Sequence, residues 1–147
     1  MSDHGTVGQS IKDYPLFQGV QSILEFGSAD GNTYKVVQPE RYLGIDIEPT
    51  WMGDGKAVVE KIDLYYWRPT GEKFDLVICD AHKAADDPDL QNITLMQGVV
   101  ATLCAKKRGL IVVDDCWYQE VADGAIRALG EPNYKHPVRT GLWIWRA

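Results

Sequence analysis

Short apolar segments that each end in an aspartate recur along this sequence. Four of them end at Asp46, Asp63, Asp80 and Asp114. Short apolar runs bounded by glycine- and proline-containing stretches are typical of buried strands, and segments of helical periodicity lie between several of them. This alternation predicts an α/β fold, a doubly wound and mostly parallel sheet, in one domain.

The position of these aspartates also predicts where a ligand binds. In open parallel sheets, ligands occupy the crevice outside the carboxyl ends of the strands. The four aspartates would lie along that one rim. Their mutual repulsion favours a ligand that is cationic or rich in hydrogen-bond donors.

The expected elements follow from periodicity and from glycine and proline. Strands are predicted over residues 22–26, 42–47, 58–62, 74–80 and 110–113, and helices over 32–38, 88–108 and 119–129. The second helix should have Asp87 as its N-cap and Pro88 at its first position. Its buried face should contain Ile93, Met96, Val100, Leu103 and Cys104. It should end with the cations of residues 106–108 and with Gly109 as its cap.

Both ends of the chain have their own patterns. Residues 134–138 and 142–145 flank Arg139, Thr140 and Gly141, which predicts an antiparallel C-terminal hairpin. Residues 1–21 are expected to form a short, partly ordered segment before a domain of residues 22–147. Its first ten residues are polar and are expected to fray, with a helical turn or two over residues 11–20.

Composition excludes several classes of protein. Of 147 residues, 45% are hydrophobic and 24% charged, which is a globular balance. The net charge of −6 argues against a nucleic-acid or anionic-membrane partner. There is no membrane-length apolar run and no signal peptide, which predicts a cytoplasmic protein. The chain has three cysteines, Cys79, Cys104 and Cys116, and no C-x-x-C pair. This pattern favours buried thiols over a disulfide or a zinc site.

Residues 23–31 predict a ligand-binding corner. An apolar run containing Glu25 turns through Gly27 and Gly31 towards a helix start, where backbone N–H groups are free. Asp46 follows about twenty residues later and could accept hydrogen bonds from ribose hydroxyls. The dinucleotide pattern G-x-G-x-x-G is absent, because Ala29 and Asn32 occupy two glycine positions. An adenosyl group with a cationic tail therefore fits better than a diphosphate. In the alternative interpretation this is an ordinary strand–turn–helix link that Glu25 caps.

Residues 23–31 resemble motif I of the class I S-adenosylmethionine-dependent methyltransferases. Gly44-Ile45-Asp46 resembles the acid of their second strand, and residues 74–80 resemble their fourth strand. The resemblance implies a Rossmann-like methyltransferase fold that binds S-adenosylmethionine. It also implies a set of cofactor-binding residues: Glu25 and Gly27 on the methionine side, Asp46 at the ribose, Asp63 at the adenine amino group, and Ser28, Gly31, Ile47 and Asp80 around them. One departure is Ala29, which stands where the family's middle glycine is usual.

A second likeness is to the metal-dependent O-methyltransferases of the catechol and caffeoyl-coenzyme A type. Residues 80–83 and 113–117 are similar to the two segments that hold their divalent cation. The resemblance implies Asp80, Asp114 and Asp115 as metal ligands, magnesium as a candidate ion, and Lys83 as general base. The second pair is Asp-Asp here rather than Asp-Asn. In the alternative, no metal binds and His82 is the base.

The expected function is methyl transfer from S-adenosylmethionine to a hydroxyl of a small molecule. The alternative is a non-catalytic adenosyl-ligand-binding domain or partner subunit. Trp51, Trp117 and Tyr118 could line an acceptor pocket or be ordinary core and rim aromatics. Trp143 and Trp145 could belong to the sheet core or to the surface of a homodimer.

Overall fold

A computed structural model of the chain describes residues 5–82 and 87–147. Its strands are β1 (Ser22–Phe26), β2 (Arg41–Asp46), β3 (Ala57–Lys61), β4 (Phe74–Cys79), β5 (Ala105–Val113), β6 (Tyr134–Lys135) and β7 (Trp143–Arg146). Its helices are α1 (Val7–Asp13), α2 (Asn32–Val37), α3 (Leu90–Cys104) and α4 (Gln119–Leu129), with a 3₁₀ turn at Pro15–Phe17. No helix in these two ranges is long and apolar enough to cross a membrane.

Within the described residues, the strands form one sheet in the order β3-β2-β1-β4-β5-β7-β6. Strands β1 to β5 are parallel, and β7 runs antiparallel to β5 and to β6. The predicted mostly parallel sheet with an antiparallel C-terminal hairpin is confirmed. The strand order reverses between β1 and β4, so the carboxyl ends of these two strands flank the crevice where such sheets bind ligands.

Alternate residues of the strands divide the core between the two faces of the sheet. Leu24, Phe26 and Val77 belong to the apolar cluster that packs under α3 and α4. Ile23 and Leu76 belong to the cluster under α1 and the 3₁₀ turn. Strands that are buried on both faces have nearly continuous apolar sequences, which explains why these strands could be predicted.

Two connections that commonly contain helices are loops in this chain. Residues 47–56 join β2 to β3 and residues 62–73 join β3 to β4, and no helix forms in either fully described segment. Trp67, which is 6% exposed, packs on the first core cluster from the second loop. Trp51 stacks on Tyr34 over the other face, with ring centroids 5.6 Å apart. Two tryptophans thus cover parts of the sheet that these short loops would otherwise leave open.

The predicted buried face of α3 is right for Cys104 and wrong for Leu103. Leu103 is 55% exposed, and the buried residues are Leu90, Thr94, Gln97, Gly98, Ala101 and Cys104. Small residues decide this orientation. A Cβ on Gly98 would lie 2.6 Å from Ala128 Cβ, and one on Gly124 would lie 2.4 Å from Gln91 O. Helices α3 and α4 therefore pack closely along glycines, which hydrophobic periodicity does not reveal.

The predicted ends of α3 also need correction. The helix begins at Leu90. Asp87 lies before it and accepts a hydrogen bond from the Asp89 N–H at 2.9 Å. It ends at Cys104, and the cations of residues 106–108 belong to β5 rather than to the last helical turn.

Residues 7–13 form a helix, where the sequence predicted fraying up to residue 10 and a helical turn only over residues 11–20. Helix α1 begins at Val7, with the Thr6 hydroxyl accepting from the Gln9 N–H at 3.1 Å. The His136 imidazole connects α1 to the C-terminal hairpin through hydrogen bonds. The N–H groups of Val138 and Arg139 donate to His136 Nδ1, so Nε2 holds the proton and donates to Ser10 O at 2.9 Å.

The three cysteines are buried free thiols, as predicted. Burial raises the pKa of Cys79 and of Cys116 above that of an exposed thiol. Neutral, enclosed thiols of this kind are structural rather than reactive.

Candidate active site

A cavity of about 420 Å³ lies at the carboxyl ends of the parallel strands. Its described lining includes five aspartates, which are Asp46, Asp63, Asp80, Asp87 and Asp89, and no lysine or arginine. Its other walls are mostly apolar: Ile45, Ile47, Ile62, Leu64, Ile93 and Met96. An acidic cavity with apolar walls favours a ligand that combines a flat apolar part with donors or a positive charge.

The glycine turn after β1 is held to the end of β2 through Asp46. The Ala29 N–H donates to Asp46 Oδ2 at 2.7 Å, and the Glu48 N–H donates to Oδ1 at 2.9 Å. Each carboxylate oxygen can accept a further hydrogen bond, so Asp46 can still bind ligand hydroxyls. Gly27 lines the cavity with φ of 88°, and a Cβ there would lie 2.5 Å from Asp80 O. Only glycine fits at this position.

Asp63 and its neighbours form the far end of the cavity. Asp63 Oδ1 accepts from the Tyr65 N–H at 2.9 Å, which fixes the turn that follows β3. Ile47, which is 46% exposed, also lines this part, as do Ile62 and Leu64. The apolar side chains could enclose a flat base, while the second oxygen of Asp63 stays available to a donor.

The structure places Glu25 beneath the turn and away from the cavity. Glu25 is 4% exposed, and it accepts hydrogen bonds from Tyr42 Oη at 2.6 Å and Thr33 Oγ1 at 2.8 Å. Burial is the main reason why its pKa is raised to about 7. Glu25 was expected on the methionine side of a cofactor, but it is not among the residues that line the cavity.

Ser28 and Gly31 also face the protein interior. Ser28 is 4% exposed, and its Oγ finds no hydrogen-bond partner in the described part of the chain. Gly31 supports the Trp51 ring, because a Cβ there would lie 2.2 Å from Trp51 Cε3. Trp51 is therefore a partly buried side chain that packs against the core, and Gly31 leaves the space that its ring needs.

Three side chains meet beside the cavity at the ends of β4 and β5. One ligand atom from each of Asp80, His82 and Asp115 lies within 4.8 Å of the others. His82 Nε2 is 3.2 Å from Asp115 Oδ2. Burial, followed by the charges of Asp114 and Asp115, raises the pKa of Asp80. The group could work as a histidine–carboxylate pair or hold a divalent cation.

Asp114 has a different partner. Arg139 donates from Nε to Asp114 Oδ1 at 2.9 Å and from Nη2 to Oδ2 at 2.8 Å, and Asp114 is 2% exposed. The sequence predicted Asp80, Asp114 and Asp115 as metal ligands, whereas the structure brings His82 into the group and pairs Asp114 with Arg139. Whether any of them binds a metal stays a prediction.

Several site residues were missed or lie elsewhere. The sequence placed Arg139 only in a turn. Because β7 pairs antiparallel with β5, residues just before β7 lie near the carboxyl end of β5. This pairing brings Arg139 close to the site. Ile93 and Met96 were expected in the core and line the cavity instead. The predicted base Lys83 lies outside the described residues.

Known structures share this arrangement of strands and helices. No protein-family model and no curated protein sequence matches the chain. A candidate O-methyltransferase from Klebsiella pneumoniae superposes with a TM-score of 0.66 at 14% identity, covering 99% of this chain and 83% of the other. The N-methyltransferase NodS from Bradyrhizobium japonicum WM9 gives a TM-score of 0.63 at 18% identity, covering 94% and 92%.

The sugar N-methyltransferase KedS8 from Streptoalloteichus sp ATCC 53650 gives a TM-score of 0.50 at 17% identity. The match covers 74% of this chain but only 45% of KedS8, so the chain spans less than half the length of that protein. At these identities the likeness establishes the fold. The chain has the Rossmann-like fold of the class I S-adenosylmethionine-dependent methyltransferases.

Proposed function

We propose that this chain transfers a methyl group from S-adenosylmethionine to a hydroxyl of a small molecule. The observation that supports this most is the charge of the cavity. Five aspartates line it, with no lysine or arginine among the described lining residues. A cationic sulfonium compound suits that environment, whereas a nucleotide diphosphate would be repelled.

The residues around the cavity fit an adenosyl group. Asp46 keeps acceptor capacity for ribose hydroxyls after binding two backbone N–H groups. Asp63 can accept from an amino group beside the apolar side chains Ile62 and Leu64. S-adenosylmethionine, when bound, supplies an electrophilic methyl group on sulfur. The chain's part is to orient that group and to remove the acceptor's proton.

His82 is the described residue best placed to take that proton. His82 Nε2 lies 3.2 Å from Asp115 Oδ2, so Asp115 can favour the tautomer with the proton on Nε2, which leaves Nδ1 able to accept a proton. Asp115 would orient the ring and stabilise the imidazolium that forms. Lys83, the next residue, remains the second candidate base.

A divalent cation is the competing arrangement at the same three side chains. Asp80, His82 and Asp115 offer two carboxylates and one imidazole; carboxylates suit magnesium or manganese, whereas imidazole suits iron, nickel or zinc. A cation there would acidify a bound hydroxyl, and His82 would then be a metal ligand rather than a free base. The histidine–carboxylate pair and the metal site are thus mutually exclusive.

The acceptor would enter over an open rim. Trp117 and Tyr118 follow Asp115 in the chain, and each is 40% exposed. A Cβ on Gly141 would lie 2.8 Å from the Trp117 ring, so the hairpin loop supports this side chain. We infer that these two aromatic residues contact a small, partly apolar acceptor. A partner copy that covers the rim, as in a homodimer, remains a further prediction.

Transfer of a labelled methyl group from S-adenosylmethionine to a panel of hydroxylated small molecules tests this function. It should be measured with added magnesium or manganese, and with chelator. The pair mechanism predicts activity in chelator and loss of activity in His82→Gln with cofactor binding retained. Activity only with a cation would favour the metal. Cofactor binding without transfer to any acceptor would support the non-catalytic alternative.

A further inference from the structure

The basic residues after α3 form a bulge in β5 at the end of the sheet opposite the cavity. The pairing of β4 with β5 passes from Phe74↔Ala105 to Leu76↔Leu110, so β5 uses three more residues than β4 over this step. Arg108 has φ of 67°, a left-handed conformation that L-residues adopt only at an energetic cost. Bulges of this kind often re-aim side chains for a function.

A groove of about 200 Å³ lies beside this bulge. We call it the basic groove; its cations are Lys106, Lys107, Arg108 and Arg146, and its apolar side chains are Leu16, Val20 and Leu110. Leu110 is buried, while Leu16 and Val20 are partly exposed. The groove can therefore offer both positive charge and a small apolar floor.

The one acid of the basic groove is already engaged. Asp75 Oδ2 accepts from the N–H groups of Gln21 and Ser22 at 2.9 and 3.0 Å, and Oδ1 pairs with Lys106 at 3.1 Å. The side chains of Lys107 and Arg108 are exposed and have no acceptor within residues 5–82 and 87–147. The four cations of the groove outnumber its one acidic side chain, so it keeps a net positive charge on a chain whose net charge is −6.

This separation of charge restricts the kind of partner. A duplex or an anionic membrane would extend beyond the groove and meet the acidic remainder of the surface. A short acidic segment of a protein would lie against the four cations of the groove, and one apolar side chain could rest on Leu16 and Val20. We propose that the basic groove docks an acidic, leucine-containing segment of a partner protein and leaves the cavity at the other end of the sheet open. This inference does not depend on the proposed methyl transfer.

A fluorescein-labelled short peptide of aspartate and glutamate around one leucine is a suitable probe, with fluorescence anisotropy as the readout. The groove variant is Lys107→Gln with Arg108→Asn, because asparagine tolerates the left-handed conformation. The matched control is Lys56→Gln with Lys61→Gln, which removes two exposed lysines at β3. We expect about tenfold weaker binding for the groove variant, no change for the control, and weaker binding as salt is raised.

Several results would overturn the proposal. These are no binding of the acidic peptide at millimolar protein, equal loss in both variants, or equal affinity for a peptide with glutamine and asparagine in place of the acids. Tighter binding of a single-stranded RNA or of phosphatidylserine vesicles than of the peptide, lost in the groove variant, would show that the partner class is wrong. Unfolding midpoints of both variants should match the parent chain, because the substituted side chains are exposed.

Discussion

Arg139 binds both carboxylate oxygens of Asp114 and so joins the C-terminal hairpin to the end of β5. The same guanidinium donates from Nη1 to Gly5 O at 2.9 Å, which also brings in the N-terminal segment. Asp114 precedes Asp115, the residue that contacts His82. The ion pair therefore fixes the backbone from which Asp115 reaches the candidate catalytic histidine.

Removing one partner of this buried pair should be costly. Arg139→Gln should lower the free energy of unfolding by about 3–5 kcal/mol, because it leaves a buried carboxylate without its cation. Arg41→Gln is the control, since Arg41 also makes two hydrogen bonds to Glu72 but both side chains are more than a third exposed. It should cost less than about 1 kcal/mol. Urea unfolding of the two variants measures both values, and equal losses would contradict the buried role of Arg139.

The buried carboxyl of Glu25 predicts a pH-dependent stability. No cation contacts it among the described residues, and its pKa rises from 4.5 to about 7 in the folded chain. A raised carboxyl pKa means that its contribution is complete below pH 4.5 and is lost as pH rises through 7. The full difference corresponds to about 3 kcal/mol.

Glu25→Gln isolates that contribution, because an amide can still pair with Tyr42 and Thr33 without titrating. The difference in unfolding free energy between the parent and this variant should shift in favour of the variant between pH 5 and pH 8. The other titrating groups cancel in the difference. Parallel pH profiles for the two proteins would show that Glu25 does not titrate in this range.

Ala29 should tolerate glycine but not a branched residue. Its φ is 48°, its side chain is exposed, and it lines the cavity. Ala29→Gly relieves the left-handed strain but loosens the unfolded chain, so stability should change by less than about 1 kcal/mol. Ala29→Val should lose more than about 1 kcal/mol, because a β-branched residue is strongly disfavoured there. Thermal unfolding of both variants checks this, and a stable valine variant would contradict the turn geometry.

Asp46 should contribute to cofactor affinity separately from stability. Asp46→Asn removes a charged acceptor, and we expect binding of S-adenosylhomocysteine to weaken about 10- to 100-fold. Asp54→Asn is the control, because Asp54 also accepts two backbone N–H groups, from Lys56 and Ala57, but does not line the cavity. Equal affinity in Asp46→Asn and the parent chain would remove Asp46 from the site.

Local patterns predicted the sheet well and the interior contacts poorly. The limits of β1 follow directly from an apolar run. Those of α4 follow from a stretch of helical periodicity that stops at Gly130. The orientation of α3 does not, because it depends on the close packing of Gly98 against Ala128 and of Gly124 against Gln91 between the two helices. The cations after Cys104 match a helix end in isolation, but pairing with β4 extends β5 through them.

The candidate site shows the same division. Six predicted residues line the cavity, at or near the carboxyl ends of strands: Gly27, Asp46, Ile47, Asp63, Asp80 and His82. The strand ends fix their positions, so these do not depend on the conformation of the longer loops. Glu25 has the right position in the chain, but Tyr42 and Thr33 hold its side chain beneath the turn. Arg139 could not be paired with Asp114 without knowing that β7 lies beside β5.

Calorimetric titration of the folded chain with S-adenosylhomocysteine tests whether the acidic cavity at the strand ends is an adenosyl-ligand site. We predict one ligand per chain with micromolar affinity, and much weaker binding of the dinucleotide NAD, whose pyrophosphate the cavity aspartates repel. No heat and no rise in unfolding temperature at millimolar S-adenosylhomocysteine would contradict the account.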